Sequence, residues 1–342
     1  MLAAYIDGAQ ATLEIAIYDL LLTDGAYAML LAAVRSAVER GVKVRVVFNQ
    51  DHPRPGHVPP PGYVQKSLFD EAGAVSEPIP GVPDLMHHKY VVRDAGSPEA
   101  AVWSGSTNWT MDSWTREDNV LVRVFSQPLA LQFRQDFEEL WAKRNVATSG
   151  EFATQWVDIG TSRARPYFAP GRAQKMVHEI SQRLATATRR IRIASPVLTS
   201  GPILGTLTEV LRAGTVDVRG VYDATQMEEV QRQWSVSPLS AWKLEAFHAV
   251  EQSARFASKK STPWGVGTTH DYMHAKLTVA DDTVFVGSFN LSHSGEMNAE
   301  NVLEIEDAAL ADIAAAFVER LMDRYGTPPS APAGAAPQGD GR

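Results

Sequence analysis

Two short runs place the same reactive side chains at the same spacing, one in each half of the chain. His87-His88-Lys89 is followed by Asp94 and then by Gly105-Ser106-Thr107-Asn108. His274-Ala275-Lys276 is followed by Asp281 and then by Gly287-Ser288-Phe289-Asn290. Each reads H-x-K-x4-D and then G-S-x-N, and two copies in one order are not an accident of residue usage. Together they supply two imidazoles, two ammoniums and two carboxamides, a set suited to attack on a phosphodiester. Such a diester repels nucleophiles and gains further charge in the transition state. Lys89, Lys276, Asn108 and Asn290 would therefore hold its non-bridging oxygens with fixed donors. One neutral imidazole would attack phosphorus and give a phosphohistidine. The other, protonated, would donate to the leaving oxygen and then deprotonate an incoming water or alcohol. Histidine suits both tasks because unequal surroundings can leave one ring neutral and the other charged. This chemistry calls for no metal and no cofactor.

Each imidazole also needs a partner that fixes its tautomer. Asp118 lies ten residues past Asn108 and Glu300 ten past Asn290, each directly before an Asn-Val-Leu run that begins at Asn119 or Asn301. These two carboxylates are the expected orienting partners. Residues two apart on a strand share a face, so His87 would project with Lys89, His274 with Lys276, and Ser106 and Ser288 with their asparagines. Plainer roles stand beside these: surface strand positions for the His-Lys pairs, turn chemistry for the Ser-Asn pairs, exposed strand starts for the two acids. His88 falls outside the spacing and reads as a structural neighbour. His270 and Asp271 lack a further ligand at metal-binding spacing. Trp103, Trp109 and Trp114 gather around the first motif, either as core or as the lining of a pocket.

The elements that must position these residues also occur twice. Residues 1–20 and 175–198 each read as an amphipathic helix running into a strand. Helices over 26–40 and 202–212 follow, then strands over 42–48 and 216–222, then the motif strands. Closing helices are predicted at 129–143 and 310–325. This duplication predicts two α/β lobes with mixed sheets, related by a pseudo-twofold axis, with the site at their interface. The expected divisions are a first lobe at 1–144, a linker at 145–163, a second lobe at 164–326 and a disordered tail at 327–342. Residues 51–82, rich in Pro and Gly, read as a loop near the cleft mouth. Residues 226–270, helical around 241–257, read as an insertion peculiar to the second lobe. A strand-like stretch at 165–171 has no counterpart before the first helix: either the first lobe lacks this strand or the chain begins after it.

A net charge of −8 argues against a surface that grips nucleic acid indiscriminately, although a local basic cleft would escape that argument. Zero cysteine excludes disulfides, thiolate zinc sites and a cysteine nucleophile. No apolar run approaches the ~18 residues of a membrane span, and no basic-then-apolar leader is evident. The compartment is left open between cytoplasm and export.

The twin H-x-K-x4-D and G-S-x-N motifs resemble those of the phospholipase D superfamily, over about residues 1–325. Met86-His87-His88-Lys89 with Gly105 to Thr110 is most similar to the cardiolipin hydrolase and small-nuclease branch. Those relatives pair two single-motif chains; here both motifs share one chain, so a monomer suffices for a complete site. The resemblance implies His87 as nucleophile and His274 as acid and base. It implies structural ion pairing for Asp94 and Asp281. It further implies a metal-independent phosphodiesterase that hydrolyses or transfers the phosphatidyl group of phospholipids, with peripheral membrane contact. The alternatives are a nuclease using the same site and, from another class, a non-catalytic binding or scaffold protein. The first copy has ten residues between Asp94 and Gly105 where the second has five between Asp281 and Gly287. The turn-like Ala95–Glu99 would absorb that difference.

Overall fold

A computed structural model describes residues 1–50, 64–253, 255–265 and 267–326. The chain opens with α1 (Leu2–Asp7), β1 (Thr12–Ile17), β2 (Leu20–Leu21), α2 (Asp24–Glu39) and β3 (Lys43–Gln50). After α3 (Ser67–Ala72) and β4 (Val75–Pro80) come the motif strands β5 (Lys89–Arg93) and β6 (Ala101–Gly105). The short β7 (Trp109–Thr110) and α4 (Met111–Thr115) then lead into β8 (Leu121–Phe125) and α5 (Gln127–Lys143). Sheet order is β4-β3-β1-β5-β6-β8, parallel through β1 and antiparallel beyond it.

The second half repeats the plan with two strands added. These are β9 (Val157–Ile159) and β10 (Ser162–Ala169), followed by α6 (Ala173–Thr186), β11 (Arg190–Ala194), α7 (Gly201–Ala213) and β12 (Asp217–Asp223). Next come α8 (Ala224–Ser235), α9 (Ala241–Ser253), β13 (Arg255–Lys259), β14 (Leu277–Ala280) and β15 (Thr283–Gly287). The half closes with α10 (His293–Met297), β16 (Glu300–Glu306) and α11 (Ala308–Tyr325). Its sheet runs β13-β12-β11-β14-β15-β16-β10-β9. The long closing helices start at matched caps: Ser126 accepts from the Leu129 amide and Asp307 from the Leu310 amide.

Each lobe has its own apolar core between sheet and outer helices. A third core is shared: Phe133 and Phe137 of α5, Phe168 of β10, Val318 and Leu321 of α11 meet residues of both sheets. Burying that common layer fixes the two sheets against one another.

Several expectations change. Within 51–82, residues 51–63 lie outside the described residues, but the remainder is not loop. Leu68 and Phe69 of α3 are buried, and β4 pairs in parallel with β3, placing Phe48 beside Pro78 and Gln50 beside Pro80. An edge strand tolerates prolines because half of its amides need no partner, so composition misled there. The segment 226–270 is not wholly an insertion either, since β13 pairs with β12 as β4 does with β3. Helix α9 ends at Ser253, short of the predicted 257. Residues 157–159, expected within the linker, form the outer strand β9. The tail at 327–342 lies outside the described residues.

Candidate active site

Each motif strand begins where chemistry ends. Lys89 is the first residue of β5 and Lys276 directly precedes β14, so both histidines sit in the extended segments leading in. Each of these segments is pinned by the other lobe. His87 N–H donates to Ala299 O (2.9 Å) and Ala299 N–H to Leu85 O (2.8 Å); His274 N–H donates to Asp118 O (2.9 Å) and Asp118 N–H to Tyr272 O (3.1 Å). The residue before each histidine is held from the end of a parallel strand. Asn49 Oδ1 accepts from Met86 N–H and Asp223 Oδ2 from Met273 N–H. The histidines thus occupy two pseudo-equivalent cross-lobe bridges, and both line one cleft of about 1190 Å³ with Asn108 and Asn290.

The side-chain partners also come from the opposite lobe. His87 Nδ1 lies 2.7 Å from Glu300 Oε1. His274 Nδ1 lies 3.0 Å from Asn119 Oδ1 and 3.3 Å from Glu117 Oε2. Asp118, expected in that role, does not reach an imidazole. Its carboxylate meets Lys259 (2.9 Å), Arg324 (3.0 Å) and the Tyr325 hydroxyl. The ladder explains why. Gly105 pairs with Leu121 and Gly287 with Val302, so Leu121 matches Val302 and Asn119, not Asp118, matches Glu300. The first lobe carries one extra residue between α4 and β8, and aligning the two Asn-Val-Leu runs by letter slips the register by one. On a strand that sends every side chain to the wrong face. Facing would have revealed it, because Val120, Val122 and Val124 pack on the shared core as Leu303 and Ile305 do. Glu117 and Asn119 were therefore missed as partners.

Ser106 and Ser288 are fully buried and serve these partners. Ser106 Oγ donates to Asn119 Oδ1 (2.7 Å) and accepts from Val120 N–H; Ser288 Oγ accepts from Asn301 N–H, next to Glu300. Asn119 Nδ2 donates to Glu117 (3.0 Å), which also accepts from Ser113. Among the described residues, the Asn108 and Asn290 Oδ1 atoms are buried without a hydrogen-bond partner.

Lys89 Nζ donates to His87 O (2.6 Å) and Lys276 Nζ to His274 O (2.8 Å), which draws each ammonium back beside its own imidazole. Tyr18 packs its ring 4.5 Å from that of His87 and 4.7 Å from Lys89 Nζ. Burial dominates the electrostatics. It pulls both histidines well below the usual imidazole range, and Lys89 and Lys276 add to this by repulsion. Burial also lowers Lys89 to about 7, against the pull of Glu300, Asp19 and Glu117. Lys276 falls well below its ordinary value through burial and then through repulsion from Lys89. Glu300 is raised to about 7 by burial, against the attraction of Lys89, and burial raises Glu117 as well. The cluster resists positive charge; an anionic phosphate beside it would relieve that resistance.

Asp94 and Asp281 stand outside the cleft and, among the described residues, do not form the expected ion pairs. Each adopts a left-handed backbone (φ 51°) at the far end of its motif strand. Asp94 accepts the amides of Gln10, Ala11 and Thr12; Asp281 accepts those of Thr188, Arg189 and Arg190. Burial raises the Asp281 carboxyl, but these amides outweigh it and bring the group below its usual value. His88 Nε2 lies 3.1 Å from buried Asp136, away from the cleft. Asp271 accepts from Thr262 N–H while His270 stacks on Tyr272. Among the described residues no group of three acids or histidines could hold a metal ion.

The family model for the cardiolipin synthase, PLD-like domain matches residues 2–141 and 180–322, one stretch in each lobe. Phosphatidylserine synthase from Haemophilus influenzae Rd KW20 is similar over 94% of this chain and 82% of its own, with TM-score 0.65 and 14% identity. A polyphosphate kinase from Porphyromonas gingivalis is similar over 91% of this chain and 46% of its own, with TM-score 0.54 and 12% identity. Nuc from Salmonella typhimurium, a phospholipase D family member, covers 48% of this chain and 95% of its own, with TM-score 0.35 and 21% identity. No curated protein sequence matches the chain. The likenesses to the synthase and the kinase concern the fold, and the family model spans most of both repeats: this chain belongs to the phospholipase D-like family.

Proposed function

We propose that the cleft cleaves or transfers phosphodiesters by a two-histidine route, with the phosphatidyl group of a phospholipid as substrate. The observation that carries this is the pair of imidazoles, each oriented from the opposite lobe, opening into one cleft that Asn108 and Asn290 also line. His87, donating a hydrogen bond from its Nδ1–H to Glu300, presents the Nε2 lone pair of the neutral ring to phosphorus. The P–N bond forms as the P–O bond to the leaving alcohol breaks, and His274 supplies the proton that alcohol needs. His274 then takes a proton from water or an acceptor alcohol, whose oxygen displaces His87 from phosphorus. Glu117 stabilises the imidazolium form of His274, which the incoming phosphate favours further. Lys89, Lys276, Asn108 and Asn290 hold the phosphoryl oxygens. No step uses a metal.

Lipid is preferred to nucleic acid because the cleft wall is acidic and apolar. Asp19, Glu228 and Glu229 line it with Val197, Val230 and Trp264, which suits a small ester with apolar parts better than a polyanion. A purely scaffolding role would not require two complete sets of reactive groups. The deciding experiment measures head-group release from phospholipid vesicles beside cleavage of single-stranded DNA, both in excess EDTA. The expected result is metal-independent turnover of the lipid. Turnover of DNA alone would transfer the same chemistry to nucleic acid, and strict metal dependence would refute the mechanism.

A further inference from the structure

Three large apolar side chains gather in water at one turn of the second lobe. Residues 235–242, Ser-Val-Ser-Pro-Leu-Ser-Ala-Trp, carry no charge and join α8 to α9. Val236 is 80% exposed, Leu239 89% and Trp242 47%. The single 3₁₀ turn at their centre (Pro238–Ser240) buries none of its residues, so the turn is convex and offers no groove. Clustered apolar exposure of this kind marks a contact surface. Helix α9 packs on α7 as α3 packs on α2, so α9 belongs to the repeated plan. Among the described residues, α8 and the turn after it are what the second lobe adds. That addition is tied to the cleft. The N-cap of α8, Asp223, accepts from Met273 N–H beside His274, and Thr225, Glu229 and Arg232 line the cleft wall along the helix. Its 12 residues carry the chain about 18 Å from that point, to where Val236 follows. Lys243 Nζ donates to Thr199 O (3.1 Å), which fastens the far side of the turn to the approach to α7.

We propose that residues 235–242 form an anchor that inserts into the surface of a phospholipid bilayer and sets the cleft wall against it. Polarity changes along the turn in the order a bilayer surface demands. Val236 and Leu239 stand outermost, and Trp242 is less exposed behind them. Lys243 lies 5.9 Å from the Trp242 ring, and Arg232 closes the last turn of α8 on the other side. An apolar tip, an aromatic ring and then cations match acyl chain, interface and head group. Area argues against a protein partner. The three apolar side chains expose roughly 400 Å², about half of what each side of a standard protein interface buries. A fluid bilayer needs no matching shape, and an uncharged tip suits neutral lipid as well as anionic. The anchor presupposes the lipid chemistry proposed for the cleft, since a bilayer-held substrate is what gives its place at the end of the cleft wall a use.

The chain has no cysteine, so Leu239→Cys accepts a single polarity-sensitive fluorophore. Ile313→Cys, at a position 66% exposed on α11, serves as the reference. With vesicles of dioleoyl phosphatidylcholine the label at 239 should shift to the blue and be quenched by brominated acyl chains, while the label at 313 stays in water. The double variant Val236→Asp, Leu239→Asp should keep its Tm and its turnover of a monomeric short-chain phospholipid. Its binding to the vesicles should weaken about 100-fold. A label at 239 that stays in water, or vesicle binding that the double variant leaves unchanged, would overturn the anchor. So would a label buried by raising protein concentration without vesicles, which would assign the turn to a second copy of the chain. Insertion without turnover of any lipid would sustain the anchor and overturn the lipid chemistry of the cleft. Turnover of vesicle lipid without insertion would overturn the anchor alone.

Discussion

Glu300 and Glu117 act on different histidines, and this separates their substitutions. Removing the negative charge beside His274 lowers the pKa of its imidazolium. Glu117→Gln should therefore move the alkaline limb of the kcat/KM profile down by about one pH unit. Glu300→Gln removes the charge that supports the nucleophile and should cost about 100-fold in kcat. Asp118→Asn should leave both profile and rate nearly unchanged, because its carboxylate serves Lys259, Arg324 and Tyr325. Its effect belongs to stability, a loss of about 1–3 kcal/mol measured by urea denaturation. A limb that moved with Asp118 but not with Glu117 would restore the letter-by-letter alignment. The His, Lys and Asn positions were legible because their spacing is local and repeated. The orienting residues were not, because they depend on a ladder register that one extra residue in a turn displaces.

At the level of elements, the final aspartate of each motif is a fastener between strands. Asp94 gathers three amides where β1 begins, and Asp281 does the same for β11. Asp94 is itself buried and its removal takes the shared acceptor from all three amides, so Asp94→Ala should cost about 1–3 kcal/mol. Activity per folded molecule should be retained, as a denaturation curve paired with an active-fraction assay would reveal. Loss of kcat without loss of stability would put Asp94 in the chemistry instead. The repeated helix-strand plan could be read from hydrophobic period alone. The edge strand β4 could not, because Pro78 and Pro80 look like loop until a parallel neighbour is placed beside them. Likewise β13 was hidden in an irregular stretch, because only its pairing with β12 identifies it as part of the repeat.

Across the whole molecule, the site is held at the expense of stability. Two ammoniums, two imidazoles and two carboxyls share the cluster that the lobes bury between them. Lys89 has a folded pKa near 7, below its unfolded value of 10.5. Between those values the unfolded chain binds more protons at this residue, so its contribution to stability rises with pH across that window. Lys89→Met should therefore raise Tm by several degrees at pH 7 while abolishing turnover. That advantage should shrink as pH approaches 10.5. A lower Tm for the variant at pH 7 would mean that the ammonium stabilises the fold. Both lobes contribute to each half of the site, so neither lobe alone holds the proposed constellation.

In the proposed reaction one imidazole becomes covalently phosphorylated while the other carries protons. Its most direct test is to quench turnover with labelled substrate and map the trapped phosphate. An acid-labile, base-stable phosphate on His87 is expected in the wild-type protein, with none in His87→Ala. In His274→Ala it should accumulate if the leaving alcohol is acidic enough to depart unaided. Label on His274, or label that survives in His87→Ala, would contradict the assignment.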